Sequence, residues 1–79
     1  MDFIKKTIEK QDPSFEELIE CFEKIKEIGG VVVIKFDGER DSNSYTVFIS
    51  FPNNRREMIR VDENDLRNAF LKVLSKYVG

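Results

Sequence analysis

The stretch YTVFISF, residues 45–51, decides the fold of this chain, because its side chains alternate between two environments. Every second side chain is large and apolar and falls on one face of a strand: Tyr45, Val47, Ile49 and Phe51. Thr46 and Ser50 fall on the other face, and this alternation predicts a half-buried strand. Phe48 is the exception, since it places an aromatic ring on the face that should be wet. We therefore expect Phe48 to mark a binding surface.

Two further strands are predicted beside this one, within a single domain of residues 1–79. Residues 31–36 are β-branched and apolar, and residues 56–61 follow the strand pattern as well. A polar loop over 37–44 joins the first two strands, and Pro52-Asn53-Asn54-Arg55 has the composition of a turn. Because connections this short join antiparallel neighbours, we expect a three-stranded meander sheet.

Amphipathic spacing predicts three helices, over residues 2–10, 14–28 and 63–77. Ser14 with Glu17 has the spacing of a capping box at the start of the second helix. Asp62 is expected to cap the last helix, with Asp65 as its reciprocal partner. The order is α-α-β-β-β-α, which predicts a two-layer α+β domain with the helices on one face of the sheet.

The composition limits the classes of protein to which the chain can belong. With 41% hydrophobic residues and seven Phe, 79 residues can form one core. The net charge of −2 gives no support to a general nucleic-acid binder. The single Cys21 cannot form an internal disulfide, and neither a membrane-spanning run nor a signal peptide is evident. We expect a cytoplasmic protein that does not bind membranes.

Residues suited to catalysis or metal binding are scarce. The chain has no histidine, which excludes Ser–His and Cys–His nucleophile pairs, and Cys21 lies on the apolar side of its helix. Residues 37–43 place oxygen ligands at alternate positions, as a calcium loop does, but Gly38 is second instead of sixth and Phe48 stands at position twelve. A solvated hairpin loop is favoured there. We expect no catalytic residue, no metal, no cofactor and no enzymatic activity.

The first candidate site is the outer face of the sheet. If Val32, Ile34 and Phe36 face the helices, the opposite parity points outward: Val31, Val33, Lys35, Thr46, Phe48, Ser50, Arg56, Met58 and Arg60. Among these, an apolar centre with a basic rim is predicted to bind a partner: Val33, Phe48 and Met58, rimmed by Lys35, Arg56 and Arg60. Whether the helix over 2–10 covers this face as a lid is left open.

The second candidate site is an acidic ridge on the second helix. Spacings of four, three and four place four carboxylates along one exposed side: Glu16, Glu20, Glu23 and Glu27. Such a ridge can steer a basic partner. The alternative is an ordinary solvated helix face, in which Glu20 and Lys24 form a favourable i,i+4 pair.

These features predict a small, non-enzymatic protein-binding module that inhibits or modulates a partner protein, of the kind found among phage accessory, anti-defence, immunity and antitoxin proteins. One alternative is contact with single-stranded nucleic acid through the outer sheet face, with Lys35, Phe48, Arg56 and Arg60 meeting bases and phosphates. Another is a structural domain that associates with itself through the same apolar patch, as a homo-oligomer.

Two resemblances accompany this interpretation. The order of elements over residues 14–78 resembles the double-stranded-RNA-binding-domain fold, whose last helix begins with lysines; the matching residues here are Asp62-Glu63-Asn64-Asp65, whose carboxylates repel phosphates. Residues 45–74 are also similar to Hic-type antitoxins, through Tyr45-Thr46-Val47, Phe51-Pro52 and Asp65-Leu66-Arg67-Asn68-Ala69. The glycines that those antitoxins favour before the helix are missing here. No functional residue is carried over from either family.

Overall fold

The computed structural model describes residues 2–52 and 56–79, without the side chain of Asp2. Its elements are α1 (Asp2–Ile8), α2 (Phe15–Glu27), β1 (Val31–Phe36), β2 (Tyr45–Phe51), β3 (Arg56–Glu63) and α3 (Leu66–Val78). The predicted α+β order is confirmed. Most of the predicted turn at 52–55 lies outside the described residues.

The three strands form one antiparallel sheet in the order β1-β2-β3, so that β1 and β3 are its edges. The expected alternation holds at the centre of β2, where Val47 and Ile49 are fully buried against the helices. Val61 of β3 joins them in the core, because it pairs with Val47 and shares its face.

All three helices lie on one side of the sheet. α2 packs on β1, α3 packs on β2 and β3, and α1 packs against α2 and α3. A helix of seven residues is unstable alone, and α1 is held by Ile4, which is 1% exposed, and by Thr7, which is also buried. Since α1 belongs to the helix layer, it does not act as a lid over the outer face.

Of the two predicted helix N-caps, the one at α2 is correct and the one at α3 is wrong. The capping box is confirmed: the Ser14 hydroxyl accepts from the Glu17 N–H at 3.1 Å, and the Ser14 N–H donates to the Glu17 carboxylate at 2.9 Å. The prediction that Asp62 caps the last helix is wrong, because Asp65 accepts the Asn68 N–H at 2.9 Å and is the cap. Asp62 belongs to β3, where it pairs with Thr46 across the sheet.

Candidate partner-binding surface

The outer sheet face carries an apolar row that crosses the strands. Val33 of β1 stands opposite Phe48 of β2, and Phe48 stands opposite Arg60 of β3. The neighbours of Phe48 along its strand are Val47 and Ile49, which are buried on the helix side, so the Phe48 ring points outward. Val33 and Phe48 are both half-buried. These positions agree with the prediction for this face.

Met58 adds to the apolar row from β3. It precedes Ile59, which pairs with Ile49 on the helix side, so the Met58 side chain points outward, and it is 54% exposed. It stands two residues from Arg60 on the same face, within reach of the Phe48 ring along the diagonal. The structure thus brings together Val33, Phe48, Met58 and Arg60.

The polar end of this face is organised around the carboxylate of Asp62. It accepts hydrogen bonds from the Thr46 hydroxyl at 2.5 Å, the Arg60 Nε at 3.2 Å and the Arg40 Nη1 at 3.3 Å. The Thr46 hydrogen bond, followed by that of Arg60, lowers the pKa of Asp62 from 3.8 to about 2. Lys35 stands opposite Thr46, and its ammonium lies 3.5 Å from the Asp37 carboxylate. The rim is therefore mixed in charge: each of these three cations lies beside a carboxylate, and Arg40 and Arg60 share that of Asp62.

Arg56 was predicted on the outer face, and that position is wrong. Its guanidinium lies 5.2 Å from the ring centres of both Phe51 and Tyr77, on the helix side, and donates to the Lys76 carbonyl at 2.9 Å. The cause is a β-bulge. Phe51 pairs with Arg56, whereas Ile49 pairs with Ile59, so two residues of β3 stand opposite one of β2. The extra residue reverses the alternation at the start of β3.

A second apolar surface, which was not predicted from the sequence, lies between α2 and the free edge of β1. It is a groove of about 430 Å³. Its walls are mostly apolar, with one acid and one base at the rim: Ile19, Phe22, Val32 and Ile34, with Glu23 and Lys26. The signal that could have revealed it is the run VVVIKF of β1, which is apolar at both parities and therefore apolar on both faces.

Phe36, at the end of β1, differs from its prediction in exposure. Its alternation with Val32 and Ile34 places it on the helix side, as expected, yet it is 66% exposed because helix packing does not cover this end of the strand. Its ring meets that of Tyr45, its partner on β2, in a T-shaped arrangement with the ring centres 5.3 Å apart. Phe36 is thus the most exposed of the large hydrophobic residues in the described part of the chain.

The acidic ridge is present as a continuous exposed surface. Glu16, Glu20, Glu23 and Glu27 are all exposed, and they lie on the side of α2 opposite the buried stripe that includes Leu18, Cys21 and Ile25. The Glu23 carboxylate lies 3.6 Å from the Lys26 ammonium, which partly compensates its negative charge. Lys24, the predicted partner of Glu20, has its ammonium 5.4 Å from the centre of the Phe3 ring.

Cys21 and the loop before β2 agree with their predicted environments. Cys21 is fully buried, and this burial raises the pKa of its thiol. In the loop, Asp37 accepts the Glu39 N–H at 3.1 Å, which is a local turn contact. Within residues 2–52 and 56–79, no cluster of three or more His, Cys, Asp or Glu residues could hold a metal ion.

The described helices include none that is long and apolar enough to cross a membrane. Comparison of the chain with protein-family models, with curated proteins and with solved structures finds no match. The two resemblances drawn above gain no support from these comparisons. What the chain does must therefore be argued from its own surfaces.

Proposed function

We propose that this chain is a non-enzymatic binding module that modulates a partner protein by occupying it, with the outer sheet face as the contact surface. The observation that carries the proposal is the position of the helices. α1, α2 and α3 all lie on the other side of the sheet, so Val33, Phe48 and Met58 are left without a covering layer in the described part of the chain. An apolar centre with a polar rim is the usual anatomy of a protein contact.

The rim favours a protein over a nucleic acid as the partner. A phosphate backbone requires cations that are free to pair with it. Here Arg60 and Arg40 both lie against Asp62, and Arg56 is on the other side of the sheet. The four residues of the nucleic-acid alternative therefore do not form one surface. A protein partner can use Arg60 and Asp62 together, as donor and acceptor around an aromatic anchor.

The test is a pull-down from cells that express the tagged chain, with Phe48→Ala and Met58→Lys as the variants. We expect one protein to co-purify with the native chain and to be lost from both variants, because anchors at the centre of an interface carry most of its energy. Phe3→Ala is the matched control, since Phe3 is an exposed aromatic on the helix side. It should retain the partner.

Two results would contradict the proposal. One is retention of the partner by both outer-face variants, combined with its loss when Glu20 and Glu23 are changed to lysine, which would place the contact on the acidic ridge. The other is turnover of a substrate that survives stringent purification.

An anisotropy titration with single-stranded oligonucleotides at low salt tests the nucleic-acid alternative. Tight binding with a steep salt dependence would replace the proposal by that alternative.

A further inference from the structure

The outer edge of β1 has backbone groups available for pairing. The Asp37 N–H donates to the Ser44 carbonyl at 2.8 Å, which continues the β1–β2 ladder by one residue. Because the backbone groups of a strand alternate between its two sides, the odd-numbered residues of β1 bond to β2. The N–H and C=O groups of Val32, Ile34 and Phe36 therefore point toward the open edge.

The two edges of the sheet differ in their protection. Charged side chains on an edge strand discourage pairing with another chain. β3 has five of them among eight residues: Arg56, Glu57, Arg60, Asp62 and Glu63. β1 has only Lys35 among six, and it contains no proline. The described strands thus include one edge that is protected and one that is open to a further strand.

Beside this open edge, the same strand carries both an exposed ring and a groove. Phe36 projects on the helix side beyond the cover of the helices, and Val32, on the same side, lines the groove under α2. The two residues lie four positions apart on one face. If a second β1 pairs antiparallel to the first, each Phe36 stands beside the other copy's Val32, at the groove.

We propose that β1 pairs with β1 of a second copy of this chain across a two-fold axis at Ile34. In this register Ile34 is opposite Ile34, and Phe36 is opposite Val32 of the second copy, so each ring fills the other's groove against Phe22. The surface is complementary to itself, as a two-fold interface requires. The six free N–H and C=O groups of each strand are all paired.

A shift of the register by two residues is less favourable. In one direction it would place Phe36 opposite Gly30, whose N–H already donates to the Ile25 carbonyl at 2.9 Å. In the other direction it would place Lys35 directly opposite Lys35 of the second copy, which opposes like charges. A shift by one residue would place side chains of opposite faces together, which the burial of the inner face forbids. The free backbone groups and the groove therefore select the same register.

The charges near the seam are compatible with a second copy. Lys35 stands opposite Val33 of the other copy on the outer face, so no like charges are directly opposed. Glu16, Glu20 and Glu27 of the acidic ridge point away from the sheet, on the side of α2 opposite its buried stripe. The groove rim carries both Glu23 and Lys26. A copy added in the plane of the sheet therefore approaches the side of α2 where Glu23 is paired with Lys26, and it does not face the other three carboxylates of the ridge.

The dimer has a six-stranded sheet, and the outer faces of the two copies become one continuous surface with Val33 beside the seam. This inference does not depend on the proposed function, since the pairing uses the edge of β1 and the helix side, whereas the proposed partner contacts the outer face. A failure of either leaves the other standing.

The first experiment measures mass by light scattering over a range of concentrations, for the native chain, Phe36→Lys and Met58→Lys. We expect the native chain to form dimers. Phe36→Lys should weaken the dimer by about a thousandfold, since an anchor is worth about thirtyfold and each dimer contains two. Met58→Lys is the matched control, since Met58 is also an exposed large hydrophobic residue but lies on β3, which does not pair with β1, and this variant should still dimerise. Circular dichroism verifies that the variants fold.

The second experiment tests the register by oxidative cross-linking of single-cysteine replacements on β1, since Cys21 is buried. Ile34→Cys should form a disulfide-linked dimer, because opposed residues of a hydrogen-bonded pair have Cα atoms about 5.5 Å apart. Val33→Cys should not, because its counterpart lies on a diagonal at about 7–8 Å. A native chain that remains monomeric at near-millimolar concentration would overturn the inference. So would a dimer that Phe36→Lys leaves intact, or one that Val33→Cys cross-links more efficiently than Ile34→Cys.

Discussion

Phe48 and Ile49 are neighbours on β2 whose side chains point to opposite faces, so replacing each by alanine compares the two faces of the sheet directly. Ile49 is 0% exposed, and such a truncation in a core costs about 2–5 kcal/mol. Phe48 is half-buried on a face without helices, so its ring loses only part of its contacts, and we expect a cost of about 1 kcal/mol.

The difference between these two costs is large enough to be measured by urea or thermal unfolding. A chain of 79 residues has a free energy of unfolding of about 4–12 kcal/mol at the usual stability per residue. For a domain of this size, each kcal/mol lowers Tm by about 4–8 °C. Ile49→Ala should therefore lower Tm by at least about 8 °C, and Phe48→Ala should lower it by half as much as Ile49→Ala or less. The slope of the urea transition should stay unchanged in both variants.

A cost of Phe48→Ala equal to that of Ile49→Ala would refute the reasoning. It would mean that protein covers the ring, because penalties of about 3–5 kcal/mol arise from fully buried aromatics. The outer face would then be core, and the acidic ridge would be the better candidate for a partner. A small cost together with loss of the partner identifies Phe48 as a contact residue.

Three other expectations concern single side chains. The Cys21 thiol, buried and with a raised pKa, should not react with a thiol reagent such as Ellman's reagent in the native chain, and it should react fully in urea. The pKa of Asp62, lowered to about 2, should be measurable by NMR titration and should rise in Thr46→Val. Since this pKa lies below its ordinary value, the stability that Asp62 contributes is present above about pH 5 and is lost as the pH falls toward 2, and Asp62→Asn should abolish this pH dependence. Asp65→Ala should lower the free energy of unfolding in urea by about 1 kcal/mol, because α3 loses its N-cap. It should also reduce the protection of α3 from hydrogen exchange, and an equal reduction in Asp62→Ala would contradict the assignment of the cap.

The elements of the fold could be predicted because their signals are local. The alternation of β2 needs only seven consecutive residues, and the capping box of α2 needs only Ser14 and Glu17, three positions apart. The short connections then limit the strands to an antiparallel order. Most of the outer face followed from the same alternation, including Val33 and Phe48.

The errors occurred at two residues whose positions depend on partners that are distant in the sequence. Asp62 has the chemistry of a helix cap, but Thr46 across the sheet provides a hydrogen bond that extends β3, and the cap moves to Asp65. Arg56 has outward parity by counting, but a bulge between the paired residues of β2 and β3 turns it toward Tyr77. Neither partner is visible in the sequence near the residue concerned.

The sequence by itself determined the apolar sides of β2 and of the three helices, and therefore that this chain forms a sheet with helices on one face. Only the tertiary structure decided how far the helices reach. α1 joins the helix layer and leaves the outer face open. α2 does not cover Phe36 at one end of β1, and a groove remains between α2 and the edge of β1. The physical reason is that periodicity reports the environment that a side chain prefers, whereas exposure depends on which distant element packs over it.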